Sequence, residues 1–434
     1  MNTAARLQAA LELIEAVERA PRPADAVVSA WFRGRRDLRD EDRGAISGLL
    51  YGVLRHHARL GWWLSKHGRP PTPRNRLLAW LALGQGKTRD QVQRLFSGGR
   101  LAPPPLTEDE RVLLGRLQGS TADHPEMPED VRAECPPWSL EPLRRHFGDA
   151  FPREMAAMLE PPPLDLRVNP LKATRPAVLQ NLRRLGFAAE ETRLAPNGVR
   201  LKERPSLSRL PMLKTGEAEI QDEGSQLVAM LVDARPGERA VDFCAGAGGK
   251  TLALATQMEN RGHVVACDVS EARLKRAAQR FRNAGLHNIQ TRVLSGERDP
   301  WVKRHKGGFD RVLVDAPCSG TGTWRRNPDA RWRSHDGLEA LTTLQANILD
   351  SAARLVKPGG RLVYATCSLV PEENERQVEA FLAAHPDFQV LPQEAVADSA
   401  HPAYLSLTPA RHGTDGFFAA VLTRVTSGSA RPSS

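Results

Sequence analysis

Two cysteines stand where a thiolate could act on a bound molecule. Cys318 lies in Asp315-Ala316-Pro317-Cys318-Ser319-Gly320-Thr321-Gly322, directly after the run Arg311–Val314. Cys367 lies in Ala365-Thr366-Cys367-Ser368, at the end of the run Arg361–Ala365, and is followed by Pro371-Glu372-Glu373-Asn374-Glu375, the acidic opening of a helix. The thiolate is the nucleophilic form, and a helix start can stabilise it. A lone cysteine in such a place is usually buried and inert. Two of them, each at a strand end and beside a ligand-binding turn, favour chemistry, and Asp315 adds a carboxylate.

That turn is Val241-Asp242-Phe243-Cys244-Ala245-Gly246-Ala247-Gly248-Gly249-Lys250-Thr251. A strand ends, glycines follow, and a helix begins. Glycines admit a ligand close to the backbone, and a helix N-terminus offers free N–H groups. The spacing is neither the dinucleotide fingerprint nor a P-loop. By itself it is also compatible with a plain tight turn. Asp268 sharpens the reading. It ends the next strand, nineteen residues after Gly249, where nucleotide-binding sheets hold ribose hydroxyls. Its alternative role is a helix cap, which Ser270 could supply instead. With no phosphate clamp, an adenosyl ligand fits, S-adenosylmethionine foremost. A further segment, Trp324-Arg325-Arg326-Asn327-Pro328-Asp329-Ala330-Arg331-Trp332-Arg333, interleaves four arginines with two tryptophans. That mixture suits phosphate contact and base stacking.

These residues must be positioned by a sheet. Strands are expected at Ala240–Phe243, His263–Cys267, Arg311–Val314, Arg361–Ala365 and Gly416–Thr423. Helices are expected at Thr251–Met258, Glu271–Ala284, Gly337–Leu355 and Glu372–Ala384. Alternation of this kind implies a mostly parallel sheet covered on both faces. Upstream, Leu164, Leu166 and Val168 alternate with polar residues as in a half-buried strand, and Thr174–Leu185 is a helix with Pro176 in its first turn. Strand-like pieces follow near Val199 and Leu201. Residues 1 to about 95 read as helical, with stripes such as Leu7, Ala10, Leu11, Ile14, Val17 and Ile46, Leu49, Leu50, Val53, Leu54. Arg43, Arg55 and Arg59 are expected toward one side of the second stripe, as a solvated face or an RNA-binding one. Proline- and glycine-rich stretches at 97–105 and 124–137 mark a boundary.

The chain has 434 residues and a formal net charge of +10, which hints at nucleic acid without deciding for it. No apolar run reaches a membrane span, and the N-terminus does not read as a signal peptide. Five cysteines with no CxxC pair argue against a disulfide scaffold or zinc finger and for a reducing compartment, the cytoplasm. No metal site is expected, and no oligomer is implied.

The segments DFCAGAGGKT, DAPCSGTG and YATCS, with RRNPDARW and PEENE, together resemble the Sun family of RNA cytosine-5 methyltransferases. Gln221-Asp222-Glu223-Gly224-Ser225-Gln226, Asp415-Gly416-Phe417-Phe418-Ala419-Ala420 and Arg167-Val168-Asn169-Pro170 match it too, so the resemblance runs from about 135 to 424. The N-terminus, through Tyr51-Gly52-Val53-Leu54-Arg55, is more weakly similar to the NusB-like RNA-binding domain of members acting on bacterial small-subunit ribosomal RNA. The resemblance implies an all-α NusB-like domain over 1–130, a small α+β, RRM-like RNA-binding module over 135–215 and a Rossmann-like S-adenosylmethionine-dependent methyltransferase domain over 216–425, while the Ser-, Gly- and Pro-rich composition of the tail over 426–434 predicts disorder. Removing residues 1 to about 130 is then expected to leave the catalytic fold intact and to weaken RNA binding.

The resemblance also implies roles. Cys367 is the nucleophile that adds to cytosine C6, Cys318 assists release of the adduct, and Asp315 bonds the N3/N4 edge of the base, where only a protonated carboxyl could donate to N3. The base would have to leave any helix to be reached. Cys244, Ala245, Gly246, Ala247, Gly248, Gly249, Lys250, Asp268, Ser295 and Asp315 line the S-adenosylmethionine site. Ser295 is a departure, since the family usually places an acidic residue there to bond the adenine amino group. The partner is RNA, ribosomal by the same argument. A transfer-RNA cytosine-5 methyltransferase, a catalytically weak RNA-binding assembly factor, a DNA-type enzyme with Cys318 as nucleophile, and a methyltransferase for another substrate class stay open as alternatives.

Overall fold

The computed structural model describes residues 1–203, 205–333, 337–392 and 403–426. The expected tail therefore lies outside the described residues from 427 onward. The chain folds as two compact units, residues 1–161 with 324–334, and residues 162–323 with 335–434.

The first unit is helical: α1 (Thr3–Arg19), α2 (Ala24–Arg33), α3 (Asp40–Arg55), α4 (His57–Lys66), α5 (Pro73–Leu83), α6 (Arg89–Leu95), α7 (Glu108–Leu117), α8 (Glu129–Arg132), α9 (Pro137–Phe147) and α10 (Phe151–Ala157). Local chemistry starts these helices. Asn2 caps α1, and Thr88 with Gln91 and Thr107 with Glu110 form reciprocal capping boxes on α6 and α7. The expected stripes on α1 and α3 are buried in one core with Leu77, Leu78 and Leu81 of α5. Close packing of α3 requires Gly52, because a Cβ there would come within 2.4 Å of the Trp80 indole. Helices α9 and α10 pack within this unit.

Residues 324–333 complete the unit, and the RNA-facing reading is corrected for Trp324, Arg325 and Arg331, which are buried in it. Trp324 is fully buried and Arg331 is 1% exposed. The Arg331 guanidinium donates to Glu134 O (3.2 Å) and Met158 O (3.0 Å) and lies 5.0 Å from the centroid of the Trp324 ring. Trp332 stacks on His57. Asp329 accepts from Ala24 N and so serves the start of α2, whose own cap residue is a proline. The three arginines of the second stripe are internal ties as well. Arg55 donates to Arg325 O, Arg59 of α4 donates to Arg132 O, and Arg43 donates to Leu38 O and Arg35 O. A guanidinium offers five donors, enough to satisfy carbonyls that helix ends leave open.

The second unit begins with β1 (Leu164–Val168), α11 (Arg175–Arg184), β2 (Ala189–Glu191), β3 (Gly198–Leu201), α12 (Pro211–Thr215) and β4 (Ala218–Ile220). Its four strands form an antiparallel sheet in the order β2-β3-β1-β4. Strand β1 was expected to be half-buried, yet every residue of it is buried. On the polar side Asp165 pairs with Arg200 (2.7 Å), which also reaches Glu223, and Arg167 donates to Gln221 (2.6 Å). Buried charges tolerate such a place because they are paired, as Asp165 is, or hydrogen-bonded, as Arg167 is.

There follow α13 (Glu223–Leu231), β5 (Arg239–Asp242), α14 (Gly249–Gln257), β6 (His263–Asp268), α15 (Glu271–Asn283), β7 (Ile289–Val293), α16 (Pro300–Arg304), β8 (Phe309–Asp315), α17 (Leu338–Ala353), β9 (Val356–Thr366), α18 (Glu375–Ala384), β10 (Phe388–Val390), β11 (Tyr404–Leu407), α19 (Pro409–His412) and β12 (Phe417–Arg424). The sheet order is β10-β12-β9-β8-β5-β6-β7, with β11 on β12. Strands β5 to β9 pair in parallel, and β12 runs antiparallel to β9. Alternate residues feed two cores. Ala240, Val264, Ala266, Leu313 and Val363 pack with α13, α14 and α15, while Val241, Val265, Val312, Leu362 and Tyr364 pack with α17 and α18. Period-two alternation thus covers both faces.

Candidate active site

The order of strands decides where a ligand can sit. From β5 the chain moves outward through β6 and β7, then returns to β8 and β9 on the other side. Open α/β sheets bind ligands at the carboxyl edge beside such a switch point. Asp242, Asp268, Asp315 and Thr366 are the last residues of β5, β6, β8 and β9. Because these strands are parallel, all four share that edge.

Residues 243–248 turn from β5 into α14. Gly246 (φ +53°) and Gly248 (φ +80°) occupy the left-handed region that favours glycine. A Cβ on Gly248 would come within 2.6 Å of Phe281, whereas a Cβ on Gly246 would meet nothing within 4 Å. Open space therefore lies in front of Gly246. Asp268 holds the turn: its Oδ2 accepts from Gly246 N (2.8 Å) and its Oδ1 from Ser270 N (2.7 Å). Ser270, not Asp268, caps α15 by accepting from Arg273 N. Leu294 N donates to Asp268 O, which sets Ser295 next to the strand end. Ser295 donates its hydroxyl to Asp299 (3.0 Å), leaving its oxygen to accept.

The Lys250 ammonium points to Asp315 Oδ2 at 2.6 Å, which ties the glycine turn to the end of β8. Burial opposes the charge, yet the Asp315 carboxylate holds the Lys250 pKa above its ordinary value. Cys244 sits in the turn with its thiol pushed well up by burial, which makes it a poor nucleophile. Its neighbour Asp242 is raised to about 7 by burial. Asp242 Oδ2 accepts from Thr251 (2.7 Å), and its buried Oδ1 has no hydrogen-bond partner among the described residues.

The two cysteines converge. Cys318 Sγ and Cys367 Sγ are 3.4 Å apart, and all five cysteines are free of disulfides. The Cys318 thiol is held well above its ordinary pKa, first by the hydrogen bond with Cys367 and then by burial. The two loops are stitched by Ala316 N to Ala365 O (2.8 Å) and Gly322 N to Cys367 O (2.9 Å). Beneath them Glu373, fully buried, accepts from Ser319 N and Oγ, Ser368 Oγ and Gln345 Nε2.

The structure thus brings Cys318, Cys367, Asp315 and Lys250 together, and arranges Cys244–Gly249, Asp268 and Ser295 around the ends of β5 and β6. Sequence reasoning missed Asp242, Asp299 and Glu373. Asp242 stood at the strand end in full view. Asp299 precedes a proline, a helix-start signal. Glu373 looked like a helix-opening charge. No helix among the described residues is long and apolar enough to cross a membrane.

The family model for 16S rRNA methyltransferase RsmB/F matches residues 229–423, and that for the ferredoxin-like domain of RsmF/B-like methyltransferases matches residues 135–208. The probable ribosomal RNA small subunit methyltransferase B of Synechocystis sp. is 34% identical over 416 residues, covering 90% of this chain and 93% of that one. Among solved structures, PH0851 aligns with a TM-score of 0.83 at 26% identity, over 98% of this chain and 99% of that one. A methyltransferase homolog protein from Pyrococcus horikoshii aligns with a TM-score of 0.57 at 31% identity, over 67% and 100%. The fold of residues 229–423 is that of S-adenosylmethionine-dependent methyltransferases, and the chain belongs to the RsmB/F family of 16S rRNA methyltransferases.

Proposed function

We propose that the protein methylates C5 of a cytosine in small-subunit ribosomal RNA, through a covalent bond from Cys367 Sγ to C6. The observation that carries this reading is the pair of thiols 3.4 Å apart beside the Lys250–Asp315 pair, at the edge where the glycine turn also opens. Cytosine C5 is a poor nucleophile. Addition of the Cys367 thiolate to C6 gives C5 the electron density of an enamine, and after methyl transfer a base takes the C5 proton while the thiolate leaves. Cys318, protonated by virtue of its raised pKa, assists this release by donating to Cys367 Sγ as that sulfur leaves C6. Asp315, oriented by Lys250, accepts from the cytosine N4 amine. The same reading places the enzyme in the cytoplasm, where ribosomal RNA and free thiols coexist.

S-adenosylmethionine, when bound, supplies an electrophilic methyl group. The residues present fit it. Gly246 leaves open space, Asp242 is a buried carboxyl at the end of β5, and Asp268 faces the turn with carboxylate lone pairs to spare. Asp268 would hold the ribose hydroxyls, and Ser295 Oγ would accept from the adenine amine.

The test is methyl transfer by the full chain to unmodified small-subunit RNA and to transfer RNA, with bisulfite sequencing of both. A new 5-methylcytosine in the small-subunit RNA, absent with Cys367→Ala, is expected. Transfer only to transfer RNA, or full activity of Cys367→Ala, would overturn the reading. Cys318→Ala should still attack and should accumulate a covalent protein–RNA band on a denaturing gel. A band from Cys367→Ala instead would reverse the two roles.

A further inference from the structure

The carboxylate of Glu373 lies behind the two thiols and accepts four hydrogen bonds. Its Oε1 accepts from Ser319 N (2.8 Å) and Gln345 Nε2 (2.9 Å), and its Oε2 accepts from Ser319 Oγ (2.5 Å) and Ser368 Oγ (2.5 Å). Ser319 is the residue after Cys318, and Ser368 is the residue after Cys367. One buried carboxylate therefore grips both cysteine loops one residue beyond each sulfur. Gln345 of α17 extends the grip by donating to Pro317 O, the residue before Cys318. On the other side, Tyr364 Oη donates to Glu373 O, and Asn374 donates to Ser368 O while accepting from Thr366. The hydroxyls of Ser319 and Thr321 also lie 3.2 and 3.1 Å from Ser368 Oγ.

This arrangement is costly unless it has a purpose. A buried carboxylate must be compensated by several hydrogen bonds, and here all of them come from the cysteine loops and the helix behind them. Loops placed by strand ends alone tolerate shifts of an ångström. Two sulfurs that must work on one base cannot tolerate that, because misplacement by about 1 Å costs on the order of 100-fold in rate.

We propose that Glu373 is the positioning residue of this site: its carboxylate clamps the Cys318 loop to the Cys367 loop and fixes the separation of the two thiols. The proposal deepens the two-cysteine reading above and rests on it for its catalytic consequence, though not for its geometry.

The test uses the full chain and the variants Glu373→Ala, Glu373→Gln and Ser319→Ala, with Cys318→Ala as reference. Three quantities are read: turnover on unmodified small-subunit RNA, the covalent band, and the rate at which diamide joins Cys318 to Cys367, located by peptide mapping. In the last reaction the two thiols give up two electrons and two protons to the azo bond, which becomes a hydrazine, and the S–S bond forms. Glu373→Ala should lose about 100-fold in turnover, accumulate the covalent band as Cys318→Ala does, and form the disulfide roughly tenfold more slowly. Glu373→Gln should remain within severalfold of the parent, because the amide oxygen keeps the Oε1 bonds and the amide nitrogen can donate to the two hydroxyl oxygens. Ser319→Ala loses the hydroxyl's contacts with Glu373 and Ser368 but keeps the backbone bond to Glu373, so it should fold normally and move in the same direction by less. If Glu373→Gln is as defective as Glu373→Ala, or if turnover and covalent band fall together with the folded fraction while Ser319→Ala is unaffected, the clamp is refuted. The diamide arm separates the two claims. Equal disulfide rates in parent and Glu373→Ala refute the clamp whatever the cysteines do, whereas a slowed rate upholds it even if neither the parent nor Cys318→Ala forms a covalent band and the two-cysteine reading fails.

Discussion

Residues 315–322 and 324–333 are almost continuous in sequence, and both are rich in groups that could meet RNA. They are used in opposite ways. The first stretch holds Asp315 and Cys318 half-exposed at the sheet edge, against Lys250 and Cys367. The second sends Trp324 and Arg331 into the core of the helical unit, where Arg331 satisfies the carbonyls of Glu134 and Met158. The difference teaches that an arginine–tryptophan mixture is equally good as a nucleic-acid face and as an internal strut. What decides is whether unpaired helix ends are there to be satisfied.

The largest effect should come from removing residues 1 to about 130. The sequence led to the expectation that the shortened chain keeps its catalytic fold. The structure changes that outcome, because Arg325, Asp329 and Trp332 lose Arg55, Ala24 and His57 as partners. The shortened chain should aggregate or fail to give a monomeric peak on gel filtration. A soluble monomer with native near-ultraviolet circular dichroism would break the contrast. Next, Arg331→Ala should cost about 3–5 kcal/mol, since it empties a buried site and strands two carbonyls. Denaturant titration should find that loss, while Cys318→Ala should change chemistry and leave the midpoint almost unmoved. An exchange of these two phenotypes would invert the comparison. Asp268→Ala should weaken S-adenosylmethionine binding by about 1–3 kcal/mol, read by calorimetry. Unchanged affinity would reduce Asp268 to a tie for Gly246.

The smallest effect concerns pH, and it sharpens the contrast between units. Burial lowers His56 and His57 from 6.5 to about 4 in the helical unit. Between pH 6.5 and 4 the unfolded chain then binds more protons at these sites, so their contribution to stability falls as pH falls. Glu134, raised by burial from 4.5 to about 7, works the other way but counts once. The net loss is about 1.4 kcal/mol per pH unit at most over the shared window. In the catalytic unit, Asp242 is raised from 3.8 to about 7, so its folded form binds the extra proton and stability rises as pH falls through that range. Denaturant titrations at pH 7 and 5.5, read region by region with a brief hydrogen-exchange pulse at one common pH, should show opposite trends. Parallel trends would contradict both burials.

Much of the catalytic unit was legible in sequence, because period-two apolar runs and glycine turns have few alternatives. The expected strand over His263–Cys267 and helix over Glu271–Ala284 differ from the observed elements by one residue. Strand β7 was not foreseen: Ile289–Val293 is an edge strand whose exposed and half-buried residues carry no clear alternation. The site was legible to the extent that residues cluster at strand ends. Cys318, Cys367 and Asp268 qualified, whereas Glu373 acts from below the loops, and nothing in a run of acidic residues says which one is buried. The fate of residues 324–333 was illegible for a deeper reason, since burial by partners 173 to 305 residues away leaves no local trace.

The return of that segment has a consequence for how the protein is made. During translation the helical unit emerges first, but its complement of core residues is incomplete until Trp324 and Arg331 have left the ribosome. At roughly 5–20 residues per second, the intervening stretch of more than 160 residues takes on the order of 10–30 s. For that interval the nascent helices hold an open seat for a tryptophan and a guanidinium not yet synthesised, and the first unit to appear is among the last to be finished.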